Sequence, residues 1–149
     1  MKDNPLGHVL VVDDEQSLVD LLCDFLSAEG YEPIGLTSSV EALEALKAQE
    51  FDILLTDLMM PGMDGIELLS AAREIDPNIV GIIMTGQGTI RTSVEAMKAG
   101  AFDYLLKPFQ MDALLPVIGR AMRVGRLQKE NIELRGTMAV YELTKVINV

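Results

Sequence analysis

Apolar residues fall along this chain in two alternating rhythms. His8–Val12 (HVLVV) is a short β-branched run with no helical period, which predicts a strand. Behind it Leu18, Leu21, Leu22, Phe25 and Leu26 recur at i, i+3, i+4, i+7 and i+8, one apolar face of a helix. Gly30 stops that helix in the C′ position. Tyr31–Leu36 reads as a second strand. Ser38-x-x-Glu41 is a capping box that opens a second helix, with Val40, Leu43 and Leu46 on its inner side. Phe51–Pro61 (FDILLTDLMMP) is an apolar run of the kind buried on both faces of a sheet. It should end at Asp57, because Met60-Pro61-Gly62 forces a turn. Asp64-x-x-Glu67 caps a third helix through about Ile75, which Asp76-Pro77 ends. Ile79–Met84 is a fourth strand and Thr85-Gly86-Gln87-Gly88 a loop. Thr89 or Thr92 caps a fourth helix that ends at Gly100. Phe102–Leu106 is a fifth strand, followed by Lys107-Pro108-Phe109 and a last helix from about Met111. Pro116 lies in the first turns of that helix, so the helix either starts later or bends there.

Strand followed by helix, repeated through the chain, implies an α/β fold with a parallel sheet covered on both faces. Right-handed crossovers restrict its topology, and the expected strand order is 2-1-3-4-5. Ligands of such sheets bind at the C-terminal ends of the strands, where strands 1 and 3 diverge. The strands deliver Asp13 and Asp14, Asp57, Thr85 and Lys107 to that edge. Singly, each has a plainer role: a capping aspartate, a loop threonine, a surface lysine. Together they are a chemical set. Carboxylates gathered on one edge repel each other unless a cation sits among them. Oxygen ligands in an open, partly wet site suit Mg²⁺. A lysine and a hydroxyl beside a carboxylate–magnesium pair are what phosphoryl transfer requires, with the carboxylate oxygen attacking.

Charge narrows the function further. The net charge of −11 is uneven: residues 1–118 hold 6 Lys/Arg against 20 Asp/Glu, and residues 119–149 hold 6 against 3. An acidic body lacks the basic face that nucleic-acid binding needs. Cys23 is the single cysteine, so there is no internal disulfide or cysteine-based zinc site, and it reads as an incidental thiol. No apolar run approaches the ~18 residues of a membrane span. The N-terminal MKDNPLG has no signal-peptide pattern, and a cytoplasmic location is expected.

Four stretches carry a resemblance to the receiver domains of bacterial two-component response regulators. They are VVDDE (Val11–Glu15), LLTDLMMPGMDG (Leu54–Gly65), MTGQG (Met84–Gly88) and GAFDYLLKPF (Gly100–Phe109). The resemblance covers about residues 7–122 and implies a doubly wound, five-stranded, flavodoxin-like (βα)5 sheet. It implies that Asp57 accepts a phosphoryl group from a histidine kinase or phosphotransfer protein. Asp13, Asp14, Asp57 and the main-chain carbonyl of Met59 would hold Mg²⁺. Which of Asp13 and Asp14 binds directly stays open, with Asp14 favoured. Lys107 would pair with the phosphoryl oxygens and Thr85 would donate its hydroxyl to one of them. The Lys107–Pro108 peptide is expected to be cis, and Tyr104 occupies the position of the family's switch aromatic, on the face made by helix 4, strand 5 and helix 5. An alternative is a Mg²⁺-dependent phosphohydrolase with an aspartyl-phosphate intermediate. That class usually carries a second carboxylate two residues after the nucleophile, where this chain has Met59. A nucleotide- or flavin-binding module fits less well, because the first loop is DDEQS and not a glycine-rich phosphate cradle.

From Val117 the helical pattern continues. Val117, Val124, Asn131, Met138 and Lys145 fall seven apart, as do Leu127, Leu134, Tyr141 and Asn148. This is an a/d seam with Asn131 at a, which favours a parallel two-stranded coil. Arg120 interrupts it at an expected d position, and Gly125 and Gly136 weaken the helix. The expectation is a receiver over residues 1–122 and a helical extension over 123–149. That extension would pair in a homodimer and lead to an output or sensory module.

Overall fold

The computed structural model describes the backbone of residues 4–147 and the side chains of residues 4–130. Five strands alternate with five helices: β1 (His8–Val12), α1 (Gln16–Ala28), β2 (Glu32–Leu36), α2 (Ser39–Ala48), β3 (Ile53–Asp57), α3 (Gly65–Ile75), β4 (Val80–Thr85), α4 (Ile90–Lys98), β5 (Ala101–Leu106) and α5 (Met111–Ile147). All pairings are parallel and the order is β2-β1-β3-β4-β5, as the alternation implied. Strand ends differ from the sequence reading by one or two residues, the usual latitude.

Side-chain alternation builds the two halves of the core. Val9 and Val11 of β1, Ile53 and Leu55 of β3, and Ile82 and Met84 of β4 face one layer, with Leu22 and Leu26 of α1 and Leu114, Ile118 and Ala121 of α5. Leu10 and Val12, Leu54 and Ile83 face the other, with Ala42 of α2, Leu68, Leu69 and Ala72 of α3, and Ala96 of α4. Neighbouring residues on a strand point to opposite faces, so apolar residues at every position mean burial on both sides. Among the described residues no helix is long and apolar enough to cross a membrane.

The helix starts follow their caps. Ser38 accepts from the Glu41 N–H, although the reciprocal half of the box is not formed. Asp64 and Glu67 form a full box on α3, and Thr89, not Thr92, is the N-cap of α4. Gly30 and Gly100 take the left-handed backbone that ends α1 and α4.

Two inward faces were misplaced. Leu21 is 53% exposed, and Val19 is buried in its stead beside Leu22 and Leu26. At about 100° per residue, Val19, Leu22 and Leu26 span a narrow arc and Leu21 lies far round the helix from it. Val40 is likewise 67% exposed, because α2 buries Ser39, Ala42 and Leu46. The last helix begins at Met111 and carries Pro116 within it, which excludes a later start. Val117 is only 6% exposed and belongs to the sheet core, so it is not free to enter an interhelical seam. Leu127 of that seam is exposed. The seam positions Asn131, Leu134, Met138, Tyr141, Lys145 and Asn148 lie outside the described side chains.

Candidate functional site

Register assembles the site. Val12 pairs with Thr56, and Asp57 pairs with Met84, so the residues that end β1, β3 and β4 lie in a row. Thr85 pairs with Leu106, and the Lys107 N–H donates to the Thr85 carbonyl at 2.8 Å. Asp13 follows β1 directly, and its N–H donates to the Leu36 carbonyl of β2. The start of α3 closes the row: a Cβ on Gly65 would lie 2.3 Å from the Asp57 carbonyl oxygen, so only glycine lets the helix approach β3 this closely.

Asp13, Asp57 and Thr85 are buried, and Asp14 is exposed. Lys107 Nζ lies 2.6 Å from Asp13 Oδ2 and 3.2 Å from Asp57 Oδ1, joining the carboxylates at the ends of two neighbouring strands. Asp13 Oδ1 also accepts the Glu15 N–H at 2.9 Å. Burial holds the Asp57 carboxyl above its ordinary value and the Asp13 charge adds to this, while Lys107 opposes both. Burial would depress Lys107, but its hydrogen bond and attraction to Asp13, reinforced by Asp57, leave it raised. Lys107 is therefore an ammonium at neutral pH.

Oxygen atoms of Asp13, Asp14 and Asp57 all lie within 4.8 Å of one another. Three carboxylates facing one ammonium leave negative charge uncompensated, and a small hard divalent cation with oxygen ligands fits that deficit. Thr85 Oγ1 accepts the Gln87 N–H at 3.1 Å. The Lys107–Pro108 peptide bond is cis. The Met59 side chain points to solvent. Cys23 stands apart: burial pushes its thiol up to about 11, helped by the Asp20 and Asp24 charges, which makes it a poor nucleophile.

Sequence reasoning named the residues that meet here but not their pairing. The Lys107–Asp13 ion pair spans 94 positions of chain and has no local signature. Thr56, whose hydroxyl donates to the Asp57 carbonyl at 3.0 Å, was read simply as part of a strand. Tyr104 lies apart from the carboxylates, with its hydroxyl 2.7 Å from Thr92 Oγ1 of α4.

A family model described as the response regulator receiver domain matches residues 9–119. The chain belongs to that family. An NtrX-like response regulator of Rickettsia bellii (strain RML369-C) is 37% identical over 132 residues, which is 87% of this chain and 28% of the relative. The DNA-binding transcriptional regulator NtrC of Escherichia coli (strain K12) is 38% identical over 132 residues, with coverages of 87% and 28%. The crystal structure of a CheY-like receiver domain protein from Methanospirillum hungatei JF-1 aligns with a TM-score of 0.78 at 30% identity, covering 81% of this chain and 97% of that one. The receiver thus spans little more than a quarter of the length of these curated relatives, and virtually all of the solved domain. It is a regulatory domain of two-component signalling of the NtrX/NtrC type.

Proposed function

We propose that this receiver takes a phosphoryl group onto Asp57 from the phosphohistidine of a histidine kinase or phosphotransfer protein. An Asp57 carboxylate oxygen attacks phosphorus. The P–O bond forms as the P–N bond breaks, and the electron pair leaves on the imidazole. The observation that carries this reading is the convergence of Asp13, Asp14 and Asp57 beside Lys107 at the ends of neighbouring strands. Lys107 opposes the rise that burial imposes on the Asp57 carboxyl and stands ready to pair with the incoming phosphoryl oxygens. Thr85 would give its hydroxyl proton to one of those oxygens, since its oxygen already accepts from Gln87. Asp13, Asp14, Asp57 and the main-chain carbonyl of Met59 would hold Mg²⁺, which when bound neutralises charge on the transferring group. Asp14 is the better direct ligand, because both Asp13 oxygens are engaged, by Glu15 and by Lys107.

Movement of Thr85 toward the phosphoryl group vacates space for the Tyr104 ring, and this passes the change to the face of α4, β5 and α5. Residues 1–122 are the switching unit and residues 123–149 a helical link to an output module in the cytoplasm. A parallel homodimer through that helix would form beyond the sheet core, since Val117 is already buried. The acidic body gives no role in nucleic-acid contact to this region.

Intact mass after incubation with acetyl phosphate and Mg²⁺ tests the reading. One phosphoryl adduct, absent in Asp57→Asn, is expected. Sustained turnover of external phosphate esters would replace it with the phosphohydrolase.

A further inference from the structure

Tyr104 on β5 lies against the loop before α4 and the first turn of α4. On one side is the loop before α4: a Cβ on Gly88 would lie 3.2 Å from both Cε1 and the hydroxyl oxygen of Tyr104. On the other is Thr92, whose Oγ1 lies 2.7 Å from the tyrosine hydroxyl. Thr92 is also half of the capping box of α4. Its N–H donates to Thr89 Oγ1 at 3.1 Å, and its own Oγ1 accepts the Thr89 N–H at 3.0 Å.

The Thr92 hydroxyl stands at the centre of these bonds. A hydroxyl has one proton and two lone pairs. Thr92 Oγ1 lies 3.1 Å from the Thr89 carbonyl oxygen, to which it can donate its proton. One lone pair takes the Thr89 N–H. The Tyr104 hydroxyl lies at 2.7 Å, closer than the exposed Thr89 hydroxyl at 3.1 Å, and either oxygen of the Thr92–Tyr104 pair can be the donor. The switch aromatic is therefore bonded into the cap of the helix beside it. That helix has little else to hold it, since Ala96 is its one buried residue.

We propose that Thr92 is a positioning residue of the switch: it ties the Tyr104 hydroxyl to the capping box of α4, so that release of Tyr104 and loosening of the first turn of α4 are one event. The proposal rests on the phosphoacceptor reading of Asp57, and it goes beyond that reading in naming what holds the unphosphorylated state.

The test is NMR on the full chain, following α4 amides and the Tyr104 ring signals, with and without acetyl phosphate and Mg²⁺. Intact mass reports the adduct in parallel. In Thr92→Val the unphosphorylated signals should lie part-way along the line that joins the two wild-type states. A lost hydrogen bond corresponds to a roughly five- to tenfold shift of that equilibrium. Thr92→Ser keeps the hydroxyl and should stay with the wild type. Tyr104→Phe removes the bond without touching the cap, and should move the α4 amides in the same direction. The double variant should add nothing beyond the single ones, as residues in one bond do not act independently. Normal phosphorylation with Thr92→Val signals off that line, or coincident with the wild type, overturns the proposal alone, as would full additivity. Absence of any adduct on the wild type overturns the phosphoacceptor reading and this inference with it.

Discussion

Helices α3 and α4 begin alike and are held differently. Each opens on a reciprocal capping box, Asp64 with Glu67 and Thr89 with Thr92. Beyond the cap they diverge. α3 buries Gly65, Leu68, Leu69 and Ala72, and its first residue presses on the backbone of Asp57. α4 buries Ala96 alone and leaves Ile90, Val94 and Met97 exposed. Local signals fix where a helix starts, but burial fixes how much free energy holds it in place. The firmly held helix adjoins the proposed acceptor, where geometry must not drift. The lightly held one adjoins Tyr104, where the proposed switch requires movement.

The contrast is sharpest in the core. Leu68→Ala should cost about 3 kcal/mol of unfolding free energy in denaturant titrations, the usual price of a buried leucine. A cost under about 1 kcal/mol would mean that α3 is not anchored as described.

The caps come next. Asp64→Ala should lower global stability by about 1 kcal/mol. Thr89→Ala removes a cap of similar strength, but from a helix with one buried residue. Its effect should appear as faster amide hydrogen exchange confined to α4, with little change in the denaturation midpoint. Equal global losses for the two variants would erase the distinction.

Charge at the end of β3 gives a third test. Burial and Asp13 raise the Asp57 carboxyl, so its ionised form is a cost to the fold at neutral pH. Without metal, Asp57→Asn should therefore melt higher than the wild type, by an amount on the order of 1 kcal/mol for relief of one like charge. The sign with pH follows from linkage. A carboxyl raised in the folded state binds its proton there first, so the cost shrinks as pH falls through the folded value and is gone below the ordinary 3.8. The advantage of Asp57→Asn should thus narrow on acidification in thermal melts. A gap that widens toward low pH would contradict the crowded acidic pocket.

The smallest effect belongs to α4. Val94→Ala should change stability by less than about 0.5 kcal/mol, because little apolar surface leaves water there. A loss above about 2 kcal/mol would show this face to be covered in solution.

Much of this was legible in the chain. Ser38, Asp64 and Thr89 announce their helices because a cap is a bond between residues three apart. Asp13, Asp57, Thr85 and Lys107 could be named because each closes an apolar run, and parallel topology brings such ends together. Other features were not legible. Leu21 and Val19 are both apolar and nearly adjacent, and only the seating of α1 on the sheet chose between them. Val117 fits a heptad as well as a core, and the sheet claimed it. Thr92 was visible as a capping candidate, but its partner on β5 was not.

The sequence by itself determined the order of elements, the caps, and the set of carboxylates, hydroxyl and amine that closes the strands. These depend on neighbours in the chain or on a period of two or of 3.6 residues, which a linear string records. The tertiary structure alone decided the rotation of each helix, the Lys107 bridge to Asp13 and Asp57, and the bond between Tyr104 and Thr92. Those depend on side chains that meet only after two separate elements pack, and the free energy of that packing is shared among many residues with no single position to mark it.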